Sequence, residues 1–90
     1  MESISVKEDK MQRRKTYVAV TLDIDRDGMV LPRLIHWENG RIFCIDRVKY
    51  RCRASSRTVG GGGIRYTVVI GGQESYLFQE GNNWFVEAKA

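Results

Sequence analysis

The sequence lacks a secretory signal, a long apolar run and any set of paired catalytic side chains. Residues 1–15 are polar, so Cys44 and Cys52 are expected as reduced thiols of a cytoplasmic protein. No apolar run approaches the roughly 20 residues of a membrane-spanning helix, so no membrane partner is expected. The single histidine, His36, has no paired carboxylate or activated serine near it in the sequence. We therefore expect neither an enzyme nor a cofactor.

The length and composition are those of one small folded domain. Of its 90 residues, 42% are hydrophobic and 29% are charged, which is ordinary for a globular protein. After Met1, the only larger apolar residues among the first 15 are Ile4, Val6 and Met11. We expect a flexible, disordered tail over residues 1–15 and a single domain over residues 16–90.

Apolar side chains recur with a period of two from Tyr17 onward. Val18, Val20, Leu22 and Ile24 alternate with smaller or polar residues, which is typical of a half-buried strand. About six such strands are separated by turn signals. This pattern predicts an all-β fold, a single small antiparallel and partly closed β-barrel of SH3-like size.

Three local sequence features predict where the strands bend, turn or carry a bulge. Pro32 cannot donate to a sheet ladder, so its strand is expected to lie at an edge or to carry a bulge there. Asn39-Gly40 predicts a two-residue type I′ hairpin that sets Trp37 opposite Ile42. The strand that follows, over residues 41–54, is long, and a bend or bulge is expected near Asp46.

Positive charge is concentrated in one segment. Residues 47–66 hold six of the cations and no anion, whereas the net charge of the whole chain is +4. In a regular strand, alternate residues share a face, so four cations would line up over about 20 Å: Arg47, Lys49, Arg51 and Arg53. The intervening residues, Tyr50 among them, would face the other way. Such a row, assisted by Arg65, suits a polyanion such as nucleic acid; the alternative is a solvated strand face that discourages edge pairing.

For three other groups of residues that could form a binding site, a purely structural role is favoured over a functional one. Asp23, Asp25 and Asp27 precede Gly28 as in the first half of a calcium loop, but the position of the bidentate glutamate holds Leu34, so an acidic β-turn is favoured. The glycine run 60–63 is followed by a strand and not by a helix, so it is interpreted as a loop.

His36, Cys44 and Cys52 fit no familiar zinc spacing and are interpreted as a half-buried histidine and two core thiols. No metal site is therefore predicted. Most aromatic side chains should be core, with one or two at the surface, and Trp84, beside the Asn82-Asn83 turn, is the first of these expected there.

A hairpin, a glycine loop and a terminal aromatic pair form a recognisable set of motifs: Ile35-x-Trp37-x-Asn39-Gly40-Arg41-x-Phe43-x-Ile45-Asp46-Arg47-Val48, Gly62-Gly63-x-Arg65-Tyr66-x-Val68 and Trp84-Phe85-Val86-Glu87. Over residues 35–88 the chain thereby resembles a group of small, uncharacterised bacterial β-domain proteins. Some similar domains are found beside genes for error-prone polymerases, so the resemblance implies a loose link to DNA metabolism. It implies no catalytic residue, and the row of cations and the tail depart from it.

The sequence thus predicts a binding or accessory module. The first hypothesis is association with nucleic acid or another polyanion through the basic strand. The alternative is a protein-interaction module that uses a strand edge and exposed aromatic side chains.

Overall fold

A computed structural model describes residues 13–56 and 60–89, which contain strands and turns and no helix. The seven strands are β1 (Arg13–Ile24), β2 (Val30–His36), β3 (Ile42–Cys44), β4 (Arg47–Ser55), β5 (Gly62–Ile70), β6 (Gln73–Glu80) and β7 (Asn83–Lys89). The predicted all-β antiparallel class is confirmed, with seven strands because the long strand over residues 41–54 divides into β3 and β4. Residues 1–12 of the predicted tail lie outside the described residues. The tail boundary at residue 15 is wrong, since residues 13–15 belong to β1 and pair with β7.

The strands form one antiparallel sheet in the order β3-β2-β1-β7-β6-β5-β4, curled into a half-barrel. Strands β3 and β4 lie at opposite ends of this order, although only Ile45 and Asp46 separate them in the chain. The Ile45 N–H donates to the Arg33 carbonyl (2.9 Å) and the Asp46 N–H to the Val69 carbonyl (2.7 Å). This link draws the two ends of the sheet together and explains the curl. The bend predicted near Asp46 is confirmed.

The inner face of the half-barrel holds the main core. Its buried members are Ile35, Ile45, Tyr66, Val68, Leu77 and Trp84. The alternating apolar side chains of β1, Val18, Val20 and Leu22, pack against it as the period of two predicts. Trp84 is buried beside Tyr66, with ring centroids 5.2 Å apart. The expectation that Trp84 lies at the surface is wrong, because its position on β7 faces inward opposite Gln79 and Val18.

The β1–β2 hairpin confirms one prediction from the sequence. The register shifts between Thr21 and Leu22, where Leu22 pairs with Pro32, so β2 carries one extra residue at this point. Pro32 therefore lies at a bulge, where a missing N–H costs no regular ladder bond. The preceding turn is closed by Asp25, whose Oδ1 accepts hydrogen bonds from the N–H groups of Asp27 and Met29.

The β2–β3 hairpin differs from its prediction by one residue. His36 pairs with Ile42 and Ile35 with Phe43, whereas the type I′ turn would set Trp37 opposite Ile42. Gly40 has φ +89° and no non-glycine residue in the described chain has positive φ, so Asn39 cannot adopt the type I′ conformation. The loop instead has three residues and ends on Gly40, a type I turn followed by a bulge. The Asn39 side chain stabilises it by accepting from the Arg41 N–H (2.9 Å).

A second buried cluster lies on the outer face of the sheet. Phe78 and Phe85 are fully buried, and their rings stack with centroids 4.8 Å apart. Tyr17 packs edge-on against Phe85, and the Lys15 ammonium lies 4.7 Å from the Phe85 ring centroid. Both faces of the β1–β7–β6 region are therefore buried, which a period of two does not predict.

Candidate nucleic-acid interface

The basic strand β4 lies at one edge of the sheet and pairs only with β5 along its length. Arg47 pairs with Val69 and Val48 with Val68, but the register then shifts, so that Tyr50 pairs with Thr67. Lys49 is the extra residue of this β-bulge. A bulge places two residues of one strand against one of its partner, and it thereby reverses the alternation of side chains beyond it.

The bulge separates the four cations that the sequence places on one face. Directly paired residues share a face of the sheet. Arg51 pairs with Tyr66 and Arg53 with Ile64, so these two arginines lie on the inner face, where the core is. Arg47 lies on the outer face with Lys49, which reaches Glu74. The prediction of a single-faced row of Arg47, Lys49, Arg51 and Arg53 is therefore wrong, and the role of these residues in binding stays a prediction.

The four cations nevertheless form a compact basic strip along a free sheet edge. All four are exposed. Lys49 forms an ion pair with Glu74, but Arg47, Arg51 and Arg53 form no ion pair within residues 13–56 and 60–89. The first and the last are six residue steps apart along the strand, about 20 Å. Three arginines on a free edge, turned to both faces, can meet phosphates from either side. Arg57, a further cation of this segment, lies outside the described residues.

Arg65 is placed on the outer face and is already engaged. Its guanidinium carbon lies 4.3 Å from the Tyr76 ring centroid, and one of its nitrogens lies 3.8 Å from the Cys52 sulfur. Its Nε is buried without a hydrogen-bond partner in the described part of the chain. The guanidinium therefore offers less to a ligand than the arginines of β4, but it fixes the ring of Tyr76 at the surface.

Sequence reasoning missed the aromatic part of this surface. Tyr50 pairs with Thr67, and Thr67 pairs with Tyr76 on the next strand. The three side chains form a row across the outer face of β4, β5 and β6, in which the tyrosines are 58% and 45% exposed. Two strand spacings separate the tyrosine backbones, about 9–10 Å. The Thr67 hydroxyl between them is buried and has no hydrogen-bond partner within the described residues. Only the bulge at Lys49 brings Tyr50 to this face, and nothing in the alternating sequence signals it.

A charged cluster of Lys15, Tyr17 and Glu80 adjoins the stacked phenylalanines. The Tyr17 hydroxyl donates to Glu80 Oε1 (2.7 Å), and Lys15 Nζ lies 3.4 Å from Glu80 Oε2. The hydrogen bond from Tyr17 is the main reason why the pKa of Glu80 lies below its ordinary value. Partial burial raises this pKa, but the Gly62 N–H and the Lys15 ammonium lower it further. Partial burial lowers the pKa of Lys15, but hydrogen bonds and the charge of Glu80 outweigh it and hold that pKa above its ordinary value.

The glycine run holds the end of the β4–β5 hairpin against this cluster. The Gly62 N–H donates to Glu80 Oε2 (3.2 Å), and the Ser56 hydroxyl contacts Glu87 on β7. A Cβ at Gly63 would lie 2.7 Å from the Gln79 carbonyl oxygen, so the backbones approach closely there. The interpretation of the whole run 60–63 as a loop is wrong, because Gly62 and Gly63 begin β5 and pair with Ser55 and Ala54; residues 57–59 lie outside the described residues. Close backbone packing thus explains Gly63, which lies against β6, and Gly62, which lies against Ala54 and Ser55 of β4.

Strands β6 and β7 separate beyond their turn and leave a groove. They pair only at Phe78–Phe85, Gln79–Trp84 and Glu80–Asn83. The groove has a volume of about 960 Å³, an apolar floor that includes Ile35 and Val68, and walls from residues 73–76 and 86–88. In the wall formed by β7, the backbone carbonyl of Glu87 accepts a hydrogen bond from the Arg13 guanidinium (3.3 Å) and not from a neighbouring strand.

The remaining candidate residues, among those the structure describes, do not come together in one site. Cys44 and Cys52 are free thiols and are exposed, so the expectation of core thiols is wrong. His36 is half-buried as expected, and its Nε2 lies 2.7 Å from the Thr21 hydroxyl. In residues 13–56 and 60–89 no three side chains of His, Cys, Asp or Glu are grouped as metal ligands would be. This includes the acidic turn, where Asp25 caps its own backbone.

The described residues contain no helix long and apolar enough to cross a membrane. No protein-family model, curated protein or solved structure matches the chain.

Proposed function

We propose that the protein is a small binding module for nucleic acid, with the basic edge strand β4 as its contact surface. The observation that carries the proposal is a set of three exposed arginines along one free edge that form no ion pair with the described residues: Arg47, Arg51 and Arg53. Like charges spaced along one strand repel one another, and a polyanion relieves that repulsion while releasing its own counterions. Among the four cations of β4, only Lys49 pairs with a carboxylate of the described residues, that of Glu74.

Salt dependence of affinity tests the proposal. Contacts between three arginines and phosphates predict a slope of log K against log salt of about −2 for a single strand and about −3 for a duplex. Raising salt from 50 to 200 mM should therefore weaken binding by about 20- to 50-fold. Fluorescence anisotropy with labelled 12-nucleotide single strands and 12-base-pair duplexes measures this directly.

A matched charge control separates a placed surface from net charge. Replacing the three β4 arginines with alanine should abolish most of the binding and flatten the salt slope. Replacing three arginines elsewhere removes the same charge and should leave binding largely intact: Arg26, Arg33 and Arg41. If the wild-type protein binds neither probe at about 50 mM salt, or if the two triple variants lose affinity equally, the proposed surface is wrong.

The groove between β6 and β7 favours a second function, the binding of an extended peptide. A peptide strand could pair with the backbone of both walls and lay alternate apolar side chains on the floor. Its partner would be a protein segment of alternating apolar sequence. Ser75 lies at the exposed wall of the groove, so Ser75→Arg should abolish the binding of a protein partner that stays bound after nuclease treatment. Arg51→Glu should leave that binding intact. The reverse pattern would contradict this function.

A further inference from the structure

We infer that the nucleic acid is single-stranded and that its bases stack on Tyr50 and Tyr76; this inference rests on the proposed function. The basic strip explains affinity for phosphate but does not distinguish one polyanion from another. The outer face beside it carries the two exposed tyrosines that the Lys49 bulge brings into one row. Exposed aromatic rings on a sheet face, next to cations that follow a phosphate backbone, are the elements that bind unpaired bases.

The position of the row relative to the cations fits a strand that lies across the sheet edge. Arg47 and Lys49 precede Tyr50 on the same outer face, while Arg51 turns to the inner side directly after it. A phosphate held at the edge would therefore place its own base over the outer face of β4 to β6. The bases of a duplex are paired and stacked inside the helix, so they cannot reach these rings.

The two tyrosines differ in how they are held. Tyr76 lies beneath the Arg65 guanidinium at 4.3 Å and edge-on to Phe78 at 6.4 Å, so its ring is fixed before any ligand arrives. Tyr50 makes no ring contact or side-chain hydrogen bond with the described residues and is 58% exposed. The Tyr50 ring is therefore open to a base that approaches the outer face of the sheet.

Between the rings, Thr67 supplies a further polar group. Its hydroxyl is buried without a hydrogen-bond partner in the described part of the chain, although most buried polar groups have one. A base that stacks between the two tyrosines would place its hydrogen-bond donors and acceptors close to the Thr67 hydroxyl. The row thus combines two stacking surfaces with one unsatisfied polar group.

The test compares a 12-nucleotide oligothymidine with a 12-base-pair duplex in about 50 mM salt. Tyr50→Ala should weaken binding of the oligothymidine by about 5- to 150-fold and leave duplex binding unchanged. Tyr50→Phe keeps the ring and should bind both probes as the wild type does. Ile42→Ala, which removes an exposed apolar side chain from the outer face of β3 and not from the row of Tyr50, Thr67 and Tyr76, should also leave both affinities unchanged.

The outcomes separate this inference from the proposed function. If Tyr50→Ala binds oligothymidine as the wild type does, or loses affinity for both probes equally, stacking on Tyr50 is refuted while the basic surface stands. If the wild-type protein binds neither probe, both proposals fail. Circular dichroism of each variant confirms that the sheet is folded, and a fold defect in Tyr50→Ala is bypassed by Tyr50→Leu, which keeps bulk without a stacking face.

Discussion

Replacing Phe85 with leucine should destabilise the domain through the outer face of the sheet, away from the main core. Phe85 is fully buried, stacks on Phe78 at 4.8 Å and touches Tyr17 edge-on at 5.9 Å. Leucine keeps an apolar side chain at this position but loses both ring contacts. The variant therefore measures what the second cluster contributes without placing a polar group in it.

The expected loss is about 2–3 kcal/mol in the free energy of unfolding. The two ring pairs, each at about 0.5–1 kcal/mol in the lower part of the range for aromatic pairs, contribute about 1–2 kcal/mol beyond the area they bury, and the volume lost on going to leucine adds a cavity term of about 1 kcal/mol. The total stays below the roughly 3–5 kcal/mol of truncation to alanine. A domain of this length has about 5–13 kcal/mol in all, so the variant should still fold, with a melting temperature about 10–20 °C lower.

Urea denaturation followed by tryptophan fluorescence measures this loss. Combining Phe85→Leu with Phe78→Leu gives a double-mutant cycle, in which the coupling should be about 0.5–1.5 kcal/mol. A loss below about 0.5 kcal/mol for Phe85→Leu would refute a stabilising role of the outer cluster, since that value is typical of an ordinary surface position.

Three further predictions concern the turn regions and the edges of the sheet. Because the folded-state pKa of Glu80 lies below its ordinary 4.5, its contribution to stability is complete above that value and is lost as pH falls through the lower folded pKa; Glu80→Gln should flatten the acid limb of urea midpoints measured against pH. Gly63→Ala should lower the melting temperature by several degrees, because the new Cβ would lie 2.7 Å from the Gln79 carbonyl oxygen; an unchanged melting temperature would show that β6 yields freely. Cys44 and Cys52 should both react with a thiol reagent in the native protein as fast as in urea, since both are exposed; protection of either thiol would place it inside the fold.

The sequence was sufficient for those parts of the fold that depend on the alternation of side chains within one strand. The inward set Val18, Val20 and Leu22 follows from the period of two, and Pro32 lies at a bulge because it cannot donate to a ladder. The bend at Asp46 follows from a strand too long for one sheet edge. Each of these depends on local chemistry alone.

What the sequence could not predict depends on how one strand meets the next. The β2–β3 hairpin takes a three-residue loop where the sequence favours two, because Asn39 keeps a negative φ and only Gly40 adopts a positive one. Trp84 faces inward because of its pairing with Gln79 and Val18, which the neighbouring Asn82-Asn83 turn does not reveal. The burial of Phe78 and Phe85 could not be predicted for the same reason, since Lys15 and Tyr17, which pack against Phe85, lie on β1, far away in the sequence.

The bulge at Lys49 shows how much of a candidate site one extra residue can change. With regular pairing, Tyr50 would face inward against Tyr66, and the cations would form a plain basic row. In the observed register Arg51 and Arg53 take the inward positions, where long aliphatic stems can lie along Tyr66 and Ile64 while the charged ends stay in water. The same shift turns Tyr50 outward, beside Thr67 and Tyr76. Aromatic rings and cations thereby share an edge of the sheet, which is the arrangement that the proposed binding of unpaired bases requires.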